Sequence, residues 1–179
     1  MRFCNTLAFA QPVDLQAQEG RLRTLVDELA RMQTDTIDCS ARPFWQLVAG
    51  GRAAIPVLIG ALTDARPTRV RHPCKKVPLN VGELAHFALI EIGEFPAFVV
   101  TGIQFDVVVI DEKTGASCWS FYDFLFDDAS KPRYQESVRS WWAREAGNYH
   151  AELVPRAKRS ACRSAFGIRR FYRWTDQRS

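Results

Sequence analysis

The apolar positions of this chain recur mainly at helical spacing. Leu22, Leu25, Val26, Leu29 and Ala30 follow an i, i+3, i+4, i+7, i+8 pattern, which predicts an amphipathic helix over Leu15 to Met32 with Asp14 as N-cap. A second, shorter helix opens near Pro43, runs through Phe44-Trp45-Gln46-Leu47-Val48 and stops at Gly50-Gly51, where positive φ costs little. Ile55, Leu58, Ile59 and Leu62 form the stripe of a third, closed by Thr63-Asp64. Pro56 is compatible with it, because a proline in the first turn removes an N–H that has no intrahelical partner. The Pro-rich, basic stretch Arg66 to Pro78 reads as a loop. Asn80-Val-Gly-Glu83 then matches a capping box, with Val81, Leu84, Ala85, Ala88, Leu89 and Ile92 on one face and Gly93 as the stop.

Beyond Gly93 the pattern changes. Phe105 to Ile110 is β-branched and alternates poorly, Asp111-Glu-Lys-Thr-Gly115 is a turn, and Ala116 to Phe121 follows, so the local expectation is a small hairpin. Ser120 to Phe126 is equally compatible with the start of a helix. Ser130 and Pro132 open a clearer one through Val138, Trp141 and Trp142, ending by Gly147. The last thirty residues have no steady period. The expected fold class is mainly α, built of stacked antiparallel helical hairpins with one small β-hairpin. The expected organisation is a truncated signal segment at 1–10, a helical domain over 11–148 and a basic aromatic tail over 149–179.

Composition sharpens this picture. With 47% apolar and 25% charged residues the chain can bury a core, and twelve Phe, five Trp and four Tyr should dominate it. No apolar run approaches the roughly 18 residues that span a bilayer. The net charge of +4 divides into +6 over Tyr149 to Ser179 and −2 elsewhere. Arginines interleaved with Phe166, Phe171, Tyr172 and Trp174 suit phosphate neutralisation and base stacking. A charge run is more often a solvated or protein-docking face, however, so nucleic acid is the lesser expectation.

Met1 to Ala10 ends in an Ala-Phe-Ala like that of a signal-peptidase site, but Asn5 and Thr6 interrupt its apolar stretch. Removing it takes Cys4 and leaves Cys39, Cys74, Cys118 and Cys162, an even set that permits two disulfides in any of three pairings. The expected location is therefore periplasmic or exported. Buried reduced thiols in a cytoplasmic protein are the alternative.

Gly51-x-x-Ala54-Ile55-Pro56-x-Leu58-Ile59-x-x-Leu62-x-Asp64 resembles the second helix of a HEAT or armadillo-type repeat, and the likeness spans Arg42 to Ile92. Val81-Gly-Glu-Leu-Ala85, Cys118-Trp119 and Trp141-Trp142 are similar to elements of compact HEAT-like bacterial proteins. These include the all-helical immunity proteins that neutralise type VI secretion amidase effectors, from which the expected hairpin departs. The resemblance implies a protein-binding module that inhibits a partner enzyme such as a cell-wall amidase toxin. It implies no cofactor and no metal, and a homodimer is compatible with it. The expected partner contacts are Asp111, Glu112 and Lys113 in one loop and Asp127, Asp128 and Arg133 in another, because rigid stacked helices leave recognition to the loops they present.

The alternative is a cysteine hydrolase. Gly115-Ala-Ser-Cys118-Trp119 resembles the segment around a papain-family nucleophile, with His150 downstream. A papain-type His follows at roughly 130 residues or more, whereas 61 remain after Cys118. Asp38-Cys39-Ser40 is similar to the Asp-Cys-Ser of NlpC/P60-type cell-wall peptidases, with His86 as base. That fold would need His86 on a strand, and here it falls in a capped, helix-periodic run. His72-x-Cys74 lacks the second ligand pair that zinc requires. Trp141 and Trp142 read as core rather than as a ligand cage.

Overall fold

A computed structural model describes residues 12–95, 108–110, 115 and 117–175. The candidate signal segment 1–10 lies outside these residues. Among them are seven α-helices and two antiparallel strand pairs, which makes the chain mainly α. Helix α1 (Pro12–Leu29) buries Leu22, Leu25, Val26 and Leu29, the stripe its sequence predicts. It begins earlier than the periodicity alone indicated, and Asp14 lies in its first turn, where a carboxylate favours the helix dipole.

Helix α2 (Arg42–Ala49) carries Pro43 in its first turn and buries Phe44, Trp45, Leu47 and Val48. Gly51 then takes φ +55°, and a 3₁₀ turn (Gly51–Ala54) leads into α3 (Ile55–Ala61). The chain bends by 112° at that break, well short of a full reversal. Helix α4 (Val81–Ile92) opens on the predicted capping box. The Asn80 side chain accepts from the Glu83 N–H at 3.0 Å, and the Glu83 carboxylate accepts from the Asn80 N–H at 2.9 Å. Gly82 is required for packing, since a Cβ there would meet the Leu62 carbonyl oxygen at 2.3 Å. Its own N–H donates to the Asp64 carbonyl at 2.9 Å.

Strand β1 (Val108–Ile110) pairs antiparallel with β2 (Ser117–Trp119) in the register Val108 to Trp119, Val109 to Cys118 and Ile110 to Ser117. The predicted hairpin is thus present, and the chain continues directly into α5 (Phe121–Phe126), so both readings of that stretch hold in succession. Helix α6 (Lys131–Glu145) buries Tyr134, Val138 and Trp141. The indole N–H of Trp141 donates to the Tyr149 hydroxyl at 3.2 Å. Trp142 lies half-buried beneath the Arg52 guanidinium, 5.2 Å from the ring centroid.

The segment that reads as a tail is packed against the helices. Strand β3 (Tyr149–Leu153) pairs with β4 (Arg170–Trp174), with the short helix α7 (Ala161–Ala165) between them. Tyr149, Val154 and Phe171 are buried. Arg163, only 2% exposed, donates to the carboxylate and the carbonyl of Glu91. That cation of the segment is thereby committed to the fold rather than to an external anion. Cys162 of α7 is bonded to Cys39, and Cys74 to Cys118. Disulfides of this kind fit an oxidising environment. No single helix among the described residues is long and apolar enough to cross a membrane.

Candidate functional site

Helix α4, helix α5 and strand β2 all meet the loop that precedes α4. Its sequence is rich in Pro and Arg, yet it is ordered by its own hydrogen bonds. The Thr68 N–H and hydroxyl both donate to the Leu79 carbonyl, and the Leu79 N–H donates to Val70, whose side chain is buried. His72 then turns inward. It stacks on Phe87 at 5.3 Å and meets the edges of Tyr122 and Phe126 from α5, while its Nδ1 accepts the Cys74 N–H at 3.2 Å. Burial lowers its pKa against the opposing pull of Glu83.

Two strong links fix the hairpin and the 127–133 loop to this scaffold. The first is covalent, from Cys74 to Cys118 on β2. The second is ionic and buried. The fully buried Glu83 carboxylate accepts from Lys75 Nζ at 2.7 Å and from Lys131 Nζ at 2.9 Å, and Lys131 also donates to Asp128 at 2.5 Å. Lys75 lies in addition 5.3 Å from the Phe126 ring centroid. Strand β2 and the 127–133 loop are therefore tied to the same segment, through Cys74, Lys75 and Glu83.

What this end presents is apolar as well as charged. Val108, Ile110 and Trp119, which share one face of the hairpin, are 41%, 65% and 46% exposed, and Val109 on the other face is 59% exposed. A groove of about 330 Å³ runs between Pro73, Lys75 and Lys76 on one side and Val109, Trp119 and Asp123 on the other. Large apolar side chains clustered in the open mark a contact surface more often than chance exposure does.

Of the residues expected to touch a partner, Asp111, Glu112 and Lys113 lie outside the described residues. Asp127 is exposed but committed locally. It accepts from the Ser130 hydroxyl at 2.5 Å and from the Ala129 N–H at 3.3 Å, and these bonds lower its pKa. Asp128 serves Lys131. Arg133 is exposed on the first turn of α6.

The cysteine-hydrolase constellations do not assemble. The sulfurs of Cys39 and Cys118 are both held in disulfides, so neither is available as a thiolate. His86 sits on α4, not on a strand, and is buried among Phe87, Phe121 and Tyr134. Its Nδ1 shares a 2.7 Å hydrogen bond with the Tyr134 hydroxyl, its Nε2 has no hydrogen-bond partner among the described residues, and burial pushes its pKa down to about 3. His150 is exposed on β3 opposite Arg173. Among the described residues no three His, Cys, Asp or Glu side chains converge as a metal set. Sequence reasoning missed the Glu83–Lys131 link. A charged N3 residue flanked by apolar positions was its one visible sign.

Compared with protein-family models, curated proteins and solved structures, the chain matches none.

Proposed function

We propose that this chain is a protein-binding module of an oxidising, exported compartment that acts as an inhibitor or immunity protein, neutralising a partner enzyme such as a cell-wall amidase toxin. The observation that supports the reading is the hairpin, whose exposed Val108, Ile110 and Trp119 share one face and stand on a scaffold locked by Cys74–Cys118 and the Glu83 ion network. A surface fixed before encounter loses little conformational freedom on binding. An exposed Trp beside aliphatic neighbours is the composition of an interface centre. Lys76 and Arg133, both exposed, supply a charged rim that would set the rate of association.

The test is inhibition. The enzyme encoded beside this chain is assayed on purified cell-wall sacculi with and without the oxidised protein. Inhibition should reach completion at equimolar protein, and Trp119→Ala with Ile110→Lys should weaken it by about 30-fold or more, the loss of a hot-spot residue. Unaltered turnover at excess protein would remove the inhibitor reading. Full inhibition by the double variant would instead remove this face.

A further inference from the structure

A second groove, of about 710 Å³, lies between α1, the turn that ends it and the start of α2. None of its residues belongs to the hairpin site, and its argument is independent of that reading. Buried Leu25 and Met32 contribute its apolar floor, and Arg21, Arg31 and Arg42 stand around it. Neighbouring arginines are paired within the chain: Arg23 with Glu19 at 2.6 Å on α1, and Arg66, in the loop after α3, with Asp27 of α1 at 2.8 Å and with Asp64. The side chains of Arg21, Arg31 and Arg42 have no ion pair or hydrogen bond among the described residues. They line one concavity without an ion-pair partner of their own.

Spacing narrows what would compensate them. Arg21 stands eight positions before the last residue of α1, about 12 Å along its axis, and Arg31 lies in the turn beyond that end, so no single small anion reaches both. An extended peptide of about five residues, at roughly 3.3 Å each, does. Glu28 also lines the groove, between those two arginines in sequence, and disfavours a carboxylate at the centre. An apolar side chain over Leu25 and Met32 fits there better. The wall opposite α1 is held in place before any ligand arrives. Cys39 is bonded to Cys162, the Trp45 indole N–H donates to the Asp38 carbonyl at 2.8 Å, and the Arg71 N–H donates to the Asp35 carbonyl at 2.8 Å.

We propose that this groove binds an extended acidic peptide segment of about five residues, with a carboxylate side chain at each end and an apolar side chain between them. The arginines take the carboxylates and the floor takes the apolar group.

Isotope-labelled, oxidised full-length protein is titrated with a capped glutamate-glycine-leucine-glycine-glutamate peptide, with its lysine-for-glutamate counterpart, and with a thymidine pentanucleotide. Saturable shifts are expected at the Leu25 and Met32 methyls and at the Nε–H of the three arginines, with the glutamate peptide alone. They should weaken as salt is raised. Arg21→Gln and Arg42→Gln should each weaken binding about two- to fivefold, the range for a solvent-accessible ion pair. Unchanged circular dichroism establishes that these exposed variants fold. Three results would overturn the proposal: equal binding of the lysine peptide, tighter binding of the pentanucleotide at the same residues, or no saturation up to about 5 mM, where a Kd near 1 mM is still measurable. All three comparisons can be made on the native chain, so they stand even if a variant misfolds.

Discussion

Replacing Glu83 by Gln should be among the most damaging isosteric changes this protein can undergo. The carboxylate is fully buried and holds Lys75 and Lys131, and Lys131 is itself only 2% exposed. Its other anion, Asp128, has a side chain 75% open to water and compensates poorly. A glutamine oxygen can still accept from the Asn80 N–H, so the capping box survives and its contribution drops out of the comparison. What remains is a buried ammonium with its principal counter-charge removed, a change that costs about 3 to 5 kcal/mol. For a chain of this size each kcal/mol lowers Tm by about 2 to 4 °C, so thermal melts followed by circular dichroism should show a fall of roughly 6 to 20 °C. Adding Lys131→Met removes the stranded charge while keeping an apolar stem, and should recover most of that loss. A Glu83→Gln protein within about 1 kcal/mol of the parent would refute the reasoning, as would a double variant no more stable than the single one.

Removing the Cys74–Cys118 link with paired alanines, which opens a separation of 44 residues, should cost up to about 4 kcal/mol on chain-entropy grounds. Amide exchange of Val109 and Cys118 should accelerate first, and uniform loss of protection across α1 to α4 would show that the bond does not act locally. His86 gives a pH dependence with a definite sign. Its pKa falls from 6.5 to about 3 on folding, so below about 6.5 the unfolded chain takes up a proton that the folded one refuses. The stability it confers is complete above that pH and declines on acidification by about 1.4 kcal/mol per unit. Urea titrations at pH 7 and pH 5 should differ by about 2 kcal/mol from this group, and His86→Leu should flatten the difference. An unchanged slope in that variant would assign the acid sensitivity to other groups.

The helices were legible because their signals are local. The stripe of α1, the Pro43 entry to α2, the Gly51 turn and the Asn80 box each depend on residues within a few positions of one another. Sheet β3–β4 was not legible, since Tyr149–Leu153 finds its partner some twenty residues away and has Tyr149 as its one buried side chain, leaving no alternation to detect. The pairing of the four cysteines was beyond spacing for the same reason. The loops expected to face a partner were chosen from their composition, yet the tie that anchors the 127–133 loop, Lys75 to Glu83 to Lys131, joins residues up to 48 apart. That tie gives Asp128 an inward role that a surface reading of acidic loops cannot foresee.

The Cys39–Cys162 bond spans 123 positions, so in mechanical terms the oxidised molecule contains a large closed ring. Pulled from its ends, it cannot pay out the contour between those cysteines, roughly 430 Å at about 3.5 Å per residue. A force trace on the oxidised chain should therefore stop short, and reductant should release that length in one further increment. A single proteolytic cut anywhere inside the ring would likewise leave one covalent molecule, whose two pieces part only when the sulfur bridges open.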